Sequence, residues 1–192
     1  MRMMLEEEIA RAILIGDGRL TSSDDHISDQ HIRSIANDAE LYAIHHLVTP
    51  AQNTAEAKAK AMIRESLRAR KDYQGSGEPT LFCSESVLTE MLLLEDANGR
   101  IIYDSVAKLA TAMRVKEIVT VPVMEEAKNN AKDKTILGII VNLRDYNVGA
   151  DKGGAVSMFE DFDIDYNAQK YLIETRCSGA LTKPYSAIVL EK

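Results

Sequence analysis

Asp161, Asp163 and Asp165, in the run EDFDIDY, place three carboxylates at alternate positions. If the segment is extended, residues at i, i+2 and i+4 share one face. Carboxylates gathered in this way supply the hard oxygen ligands that Ca²⁺ or Mg²⁺ takes. A metal-dependent hydrolase is the activity such a site would serve. Phe162 and Ile164 stand between the aspartates and support a plainer alternative, a half-buried strand with a solvated acidic face.

Gly16-Asp17-Gly18, in AILIGDGR, raises phosphate or metal binding. A phosphate loop leads into a helix N-terminus, where free N–H groups point at the anion. Here the glycines follow a helical run, where free carbonyls would repel one. A calcium loop needs oxygen ligands at alternate positions and a glycine at the sixth. Counted from Asp17, the third and fifth positions are Arg19 and Thr21, and the sixth is Ser22. Both ligand readings fail on order and spacing. The remaining one is a helix stop, with Gly16 in the left-handed conformation that glycine adopts without a Cβ clash. In GADKGGA, Gly149 to Ala155, Lys152 precedes the paired glycines. A nucleotide loop has the opposite order, so this stretch reads as a surface loop.

The four histidines form no zinc cluster by spacing. His26 and His31 are five apart, and the adjacent His45 and His46 point apart in either helix or strand. They read as surface or packing residues. Cys83 and Cys177 lie far apart in LFCSES and TRCSG, with neither metal-type spacing nor a nucleophile elbow. No catalytic, cofactor-binding or metal-ligating residue is therefore assigned, and neither enzymatic activity nor a cofactor is expected.

The chain has 192 residues, enough for one domain or a large domain with a small appendage. Its net charge of −7 and pI of about 5.2 make the overall field repel nucleic acid and acidic membranes. Lysines and arginines are scattered among carboxylates, so no groove for reading DNA or RNA is expected. The longest apolar run, ILGIIVNL, has strand length and falls short of the roughly 18 residues of a membrane span. With no signal-peptide pattern at the start, the cysteines are expected to be reduced, in a cytosolic setting.

Any site must be carried by elements that the pattern also predicts. Leu5, Ile9, Ala12 and Ile13 line one face of a first helix, with Glu7 and Arg11 a favourable pair on the other side. A polar connection from Thr21 to Gln30 follows. DAELYAIHHLV fits a short helix or a strand. Asn53 to Tyr73 reads as a long helix, capped by Asn53 or Thr54, with Ala59, Met62, Ile63, Ser66 and Leu67 inward and Lys60, Arg64, Arg68 and Lys71 elsewhere. TLFCS is a strand, and Ser84 caps a helix with Val87, Leu88, Met91 and Leu92. Asn98-Gly99 marks a tight turn, and Ser105 caps a helix carrying Val106, Leu109, Ala110 and Met113. EIVTVPVM is a strand at an edge or near its end because of Pro122. TILGIIVNL is a buried strand, Tyr171 to Cys177 alternates, and SAIVLE closes the chain as a strand. The sum is an α+β fold without internal repeats.

The order of these pieces resembles the C-terminal portion of the major capsid proteins of tailed bacteriophages and prophages, the HK97-type fold. The matching residues are a helix stopped at Gly16-Asp17-Gly18, the turn from Glu95 to Ile102, and the Val121-Pro122-Val123 step. Near the end, Arg176 and Lys183-Pro184-Tyr185-Ser186-Ala187-Ile188-Val189 match the family's closing strands. The resemblance covers nearly the whole chain.

It implies an axial (A) domain over about 20–165. A peripheral (P) domain would take 1–19, the end of a spine helix, and the returning strands of 166–192. Loops such as Asp145 to Gly154 would be candidates to line a capsomer axis. The implied function is an icosahedral shell subunit that self-assembles into pentamers and hexamers enclosing the DNA genome. Its location would be the virion, and the bacterial host cytoplasm before assembly. Partners would be further capsid subunits, with no specific nucleic-acid reading and no membrane. The family's N-terminal arm, extended loop and most of the spine helix have no counterpart here. The chain therefore reads as a truncated fragment and is expected to be a monomer or small oligomer that forms no shells. An encapsulin-like compartment shell is the near alternative, and the hydrolase using the 161–165 aspartates a more distant one. A small-molecule binding module would require a closed apolar pocket.

Overall fold

The computed structural model describes residues 2–19, 22–24, 26–28, 30–125, 127–129, 134–151 and 156–192. In chain order the helices are α1 (Arg2–Leu14), α2 (Ala55–Ala69), α3 (Glu85–Leu92) and α4 (Val106–Met113). The first five strands are β1 (Ala43–Leu47), β2 (Thr80–Cys83), β3 (Ile118–Thr120), β4 (Lys128–Asn129) and β5 (Lys134–Val141). The remaining five are β6 (Tyr146–Ala150), β7 (Ser157–Asp163), β8 (Ala168–Glu174), β9 (Cys177–Leu181) and β10 (Ala187–Glu191).

The main sheet has the order β1-β10-β5-β2-β3, with β4 added on β5. β10 runs parallel to β1 and antiparallel to β5, and β2 runs antiparallel to β5 and parallel to β3. Strands covered on both faces carry nearly continuous apolar runs. That rule places AIVLE and TILGIIV inside the sheet, and every residue of β10 is buried. β3 lies at the edge and breaks into a 3₁₀ turn at Pro122–Met124, as a residue without an N–H requires. DAELYAIHHLV resolves as a strand, β1.

Leu81, Ile140, Ile188 and Leu190 pack with Met62, Met91, Leu109 and Met113 of the three helices α2, α3 and α4. The other face of the sheet, with Ile139, Val141, Ala187 and Val189, meets Leu14, Ile35, Met124, Tyr146 and Leu181. A bulge shifts the β10–β5 register between Leu190 and Glu191. One extra residue in a strand reverses the alternation beyond it, and so Ile136 and Ile139 share a core.

The helix starts follow the sequence. Thr54, Ser84 and Ser105 accept from the N–H groups of Ala57, Val87 and Lys108 at 3.3, 3.3 and 3.4 Å. Gly16 has φ +86° just past α1, the stop that the sequence predicted. Asp96, Asn98 and Gly99 close the tight turn, with Gly99 at φ +74° and Asp96 N–H donating to the Arg100 carbonyl at 2.8 Å.

Other expectations need correction. The long helix ends at Ala69, and Leu67 is 39 % exposed rather than inward. The ion pairs at α1 are Arg2–Glu6 and Arg19–Glu8, at 3.1 and 3.3 Å, in place of Glu7–Arg11. The alternating run Tyr171 to Cys177 is cut, because β8 stops at Glu174 and β9 starts at Cys177. The last strand, β10, is an inner strand of the sheet built from residues 43–141.

Candidate assembly surface

Among the described residues β7 and β8 pair only with each other, in register from Ser157↔Glu174 to Asp163↔Ala168. The four residues Ile164 to Asn167 turn the chain. Asn167 takes φ +49°, a conformation asparagine tolerates, and Asp163 accepts the Asp165 N–H at 3.0 Å. Side chains alternate across the ribbon. One face therefore carries Phe159 and Leu172 as directly opposed partners, flanked by Asp161 and Glu174. The other carries Met158, Phe162, Tyr171 and Ile173.

Neither face is covered. Phe159 and Leu172 are 52 % and 56 % exposed, Phe162 is 50 % exposed, and Ile164 at the tip is 84 % exposed. A lone two-stranded hairpin is marginal in water, and contiguous apolar exposure marks a contact surface. The hairpin is also acidic: residues 157–174 hold five carboxylates and one lysine.

This is where the three candidate metal ligands lie. Asp161 and Asp163 share a strand face, but Asp165 belongs to the turn. Asp163 forms an ion pair with Lys170, and that hydrogen bond holds its carboxyl below the usual carboxylate range. Among the described residues no group of three or more His, Cys, Asp or Glu is placed to hold a metal ion. The plainer alternative fails too in its burial, since Phe162 and Ile164 are exposed rather than half-buried.

The other singled-out residues bind the fold to itself. Asp17, 4 % exposed at its side chain, accepts from the Ile27 N–H at 2.6 Å, the Arg19 N–H at 3.1 Å and His26 Nδ1 at 3.0 Å. Burial alone would raise its carboxyl. The backbone N–H groups of Ile27 and Arg19 and the His26 ring outweigh that and hold it below its ordinary value. The polar connection after α1 is thus gathered on one carboxylate, a role the helix-stop reading missed. His45 and His46 do point apart. His45 Nδ1 meets Glu191 Oε1 at 2.7 Å, and His46 Nε2 meets Glu65 Oε2 of α2 at 2.9 Å. His31 is exposed. Cys83 and Cys177 are free, and burial, with the charge of Glu85, pushes the Cys83 thiol up to about 12.

Of GADKGGA, Gly149 and Ala150 end strand β6, and Lys152 to Ala155 lie outside the described residues. Over the described residues 145–150 the stretch is no open loop. Asp145 is buried and accepts the Ser76 N–H at 2.6 Å, and β6 pairs with β9. Tyr146 packs against Gly179, where an added Cβ would come within 2.6 Å of the ring. Its hydroxyl donates to the Arg33 carbonyl at 2.9 Å.

The apolar hollow between α2 and α3, lined by Ala55, Ala59, Met62, Val87 and Leu137, measures about 130 Å³, below the roughly 300–1,000 Å³ of ligand pockets. Hollows of about 370 Å³ beside Arg33 and Asp38 and about 400 Å³ beside His31 and Ser178 are large enough, but both are lined largely by polar residues and neither is the closed apolar pocket that a small-molecule module would require. Among the described residues no helix is long and apolar enough to cross a membrane.

No protein-family model matches the sequence, and no curated protein matches it. Solved structures do resemble the fold. The capsid of an empty GTA particle computed with C5 symmetry superposes with a TM-score of 0.64 at 12 % identity, over 99 % of this chain and 63 % of that one. A chain of Gordonia phage Cozz gives 0.62 at 14 % identity, over 100 % and 60 %. One of Mycobacterium phage Ogopogo gives 0.59 at 10 %, over 96 % and 63 %. The chain thus spans less than two thirds of the length of each of these proteins. Its α+β fold is similar to that of these capsid and phage chains.

Proposed function

We propose that this chain is part of a phage or prophage major capsid protein of the HK97 type, a shell subunit whose substrate is its neighbour. The observation that carries this reading is the β7–β8 hairpin, apolar and uncovered on both faces, in a chain whose fold is similar to that of capsid proteins. Burying such a ribbon between copies gives each apolar residue roughly 25 cal/mol per Å² removed from water. Contacts between unlike surfaces of successive copies close into rings when the rotation divides evenly, which suits pentamers and hexamers around packaged DNA.

The role is structural and not catalytic, the location the virion and, before assembly, the host cytoplasm. In the proposed layout the axial domain covers 20–156, shortened from the expected 20–165 so that the paired strands β7 and β8 stay together, while α1 and the hairpin belong to the peripheral one. β10 is assigned to the axial body because it pairs between β1 and β5. This amends the expectation for 166–192.

Sedimentation and light scattering of the purified chain test the reading. Concentration-dependent self-association into small oligomers, weakened by Phe159→Ser with Leu172→Ser, is expected. The uncovered hairpin narrows the expected monomer or small oligomer to a small oligomer, so a strictly monomeric chain at every concentration would contradict the reading, and spontaneous particles of capsid size would contradict the expected absence of shells.

A further inference from the structure

The exposed side of α2 carries Lys60, Arg64 and Arg68, and Lys71 follows in the turn just past the helix end at Ala69. Successive steps of four residues put the first three on one helix face. Leu67, 39 % exposed, sits in the same stripe. Lys60 is hydrogen-bonded to Glu56, and Arg68 donates to Glu65 at 2.6 Å. Lys71 lies 3.8 Å from Asp72. The stripe thus presents cations around one apolar side chain, on a protein of net charge −7.

The Phe159–Leu172 face of the hairpin is its complement: an apolar pair flanked by Asp161, Asp163 and Glu174, with Lys170, opposite Asp161 and ion-paired to Asp163, as its one cation. From Lys60 to its end at Ala69 the helix rises about 14 Å, with Lys71 in the turn beyond, and the seven residues of β7 extend about 20 Å. Within one copy the two surfaces remain apart, since β7 and β8 pack chiefly on each other.

We propose that the Phe159–Leu172 face of one subunit docks on the α2 stripe of a second copy, seating Leu67 between the two apolar residues and the carboxylates among the cations. This rests on the shell-subunit reading and names the surface that receives the hairpin. The contact is heterologous, one copy's hairpin on the next copy's helix, and hence able to propagate around a ring.

Charge reversal with exchange tests it. Asp161→Lys with Glu174→Lys alters the hairpin and leaves the Asp163–Lys170 pair intact. Arg64→Glu with Lys71→Glu alters the stripe and leaves Arg68–Glu65 intact. All four residues are exposed, and thermal unfolding confirms that each variant folds. Each variant alone should lose roughly tenfold or more in self-association, and an equimolar mixture of the two should recover it. The wild-type association should weaken as salt is raised. Wild-type-like association of the stripe variant, or loss in both variants without recovery on mixing, overturns this docking and leaves the shell reading standing. So does a stripe that binds duplex DNA, if its reversal abolishes only that binding. Absence of any wild-type self-association overturns both.

Discussion

His45 of the first strand and Glu191 of the last are joined at 2.7 Å, Nδ1 to Oε1, with the carboxylate fully buried. Lys134 of β5 donates to the other oxygen at 3.0 Å, so three adjacent strands meet on one side chain. Burial raises the Glu191 carboxyl, but Lys134 and His45 outweigh this and hold it below the ordinary glutamate value. Glu191→Ala takes away the acceptor that His45 and Lys134 share, and leaving such partners unpaired costs about 1–3 kcal/mol. The variant should therefore lose unfolding stability of that order, read from denaturant midpoints. Unchanged stability would contradict the clasp.

The acid side of the stability profile follows from two carboxyls. Asp17 and Glu191 are both held below their ordinary values in the folded protein. Such groups contribute stability that is fully present above the unfolded-state pKa and lost as pH falls through the folded one. Denaturant unfolding should show stability falling below the ordinary carboxylate range, and Glu191→Gln should flatten that fall.

Asp17→Ala should release three donors, those of Ile27, Arg19 and His26. Leaving such groups unpaired costs about 1–3 kcal/mol. Gly16→Ala at φ +86°, with Asn37 Nδ2 only 3.2 Å from the added Cβ, should cost about 1–2 kcal/mol. Both losses are measured by thermal or denaturant unfolding.

Cys83 should resist alkylation in the folded protein while Cys177 reacts first. Cys83 is fully buried and its thiol is pushed up to about 12, whereas Cys177 is half-buried. Mass spectrometry of partly alkylated protein reads the order, and prior labelling of Cys83 would contradict the packing of β2.

How far the sequence disclosed all this depended on whether a residue's partner was near in the chain. Caps Thr54, Ser84 and Ser105, the Gly16 stop and the buried runs of β5 and β10 were legible because local geometry decides them. The Asp17 clasp and the His45–Glu191 pair were not, since their partners are 10 and 146 residues away. The hairpin was misjudged for a different reason. Period-two alternation predicts that one face is covered, and β7 and β8 do alternate, but within one copy nothing covers Phe159, Phe162 or Leu172. Leu67 is a second case: apolar helical spacing puts it with the core, yet it is 39 % exposed.

Hydrogen exchange of residues 157–174 at low and high protein concentration tests the assembly account most directly. The account predicts fast exchange in dilute protein and protection in concentrated protein, localised to the hairpin and the exposed face of α2. Equal exchange of the hairpin at both concentrations, in a sample that sedimentation shows to be associated, would contradict it.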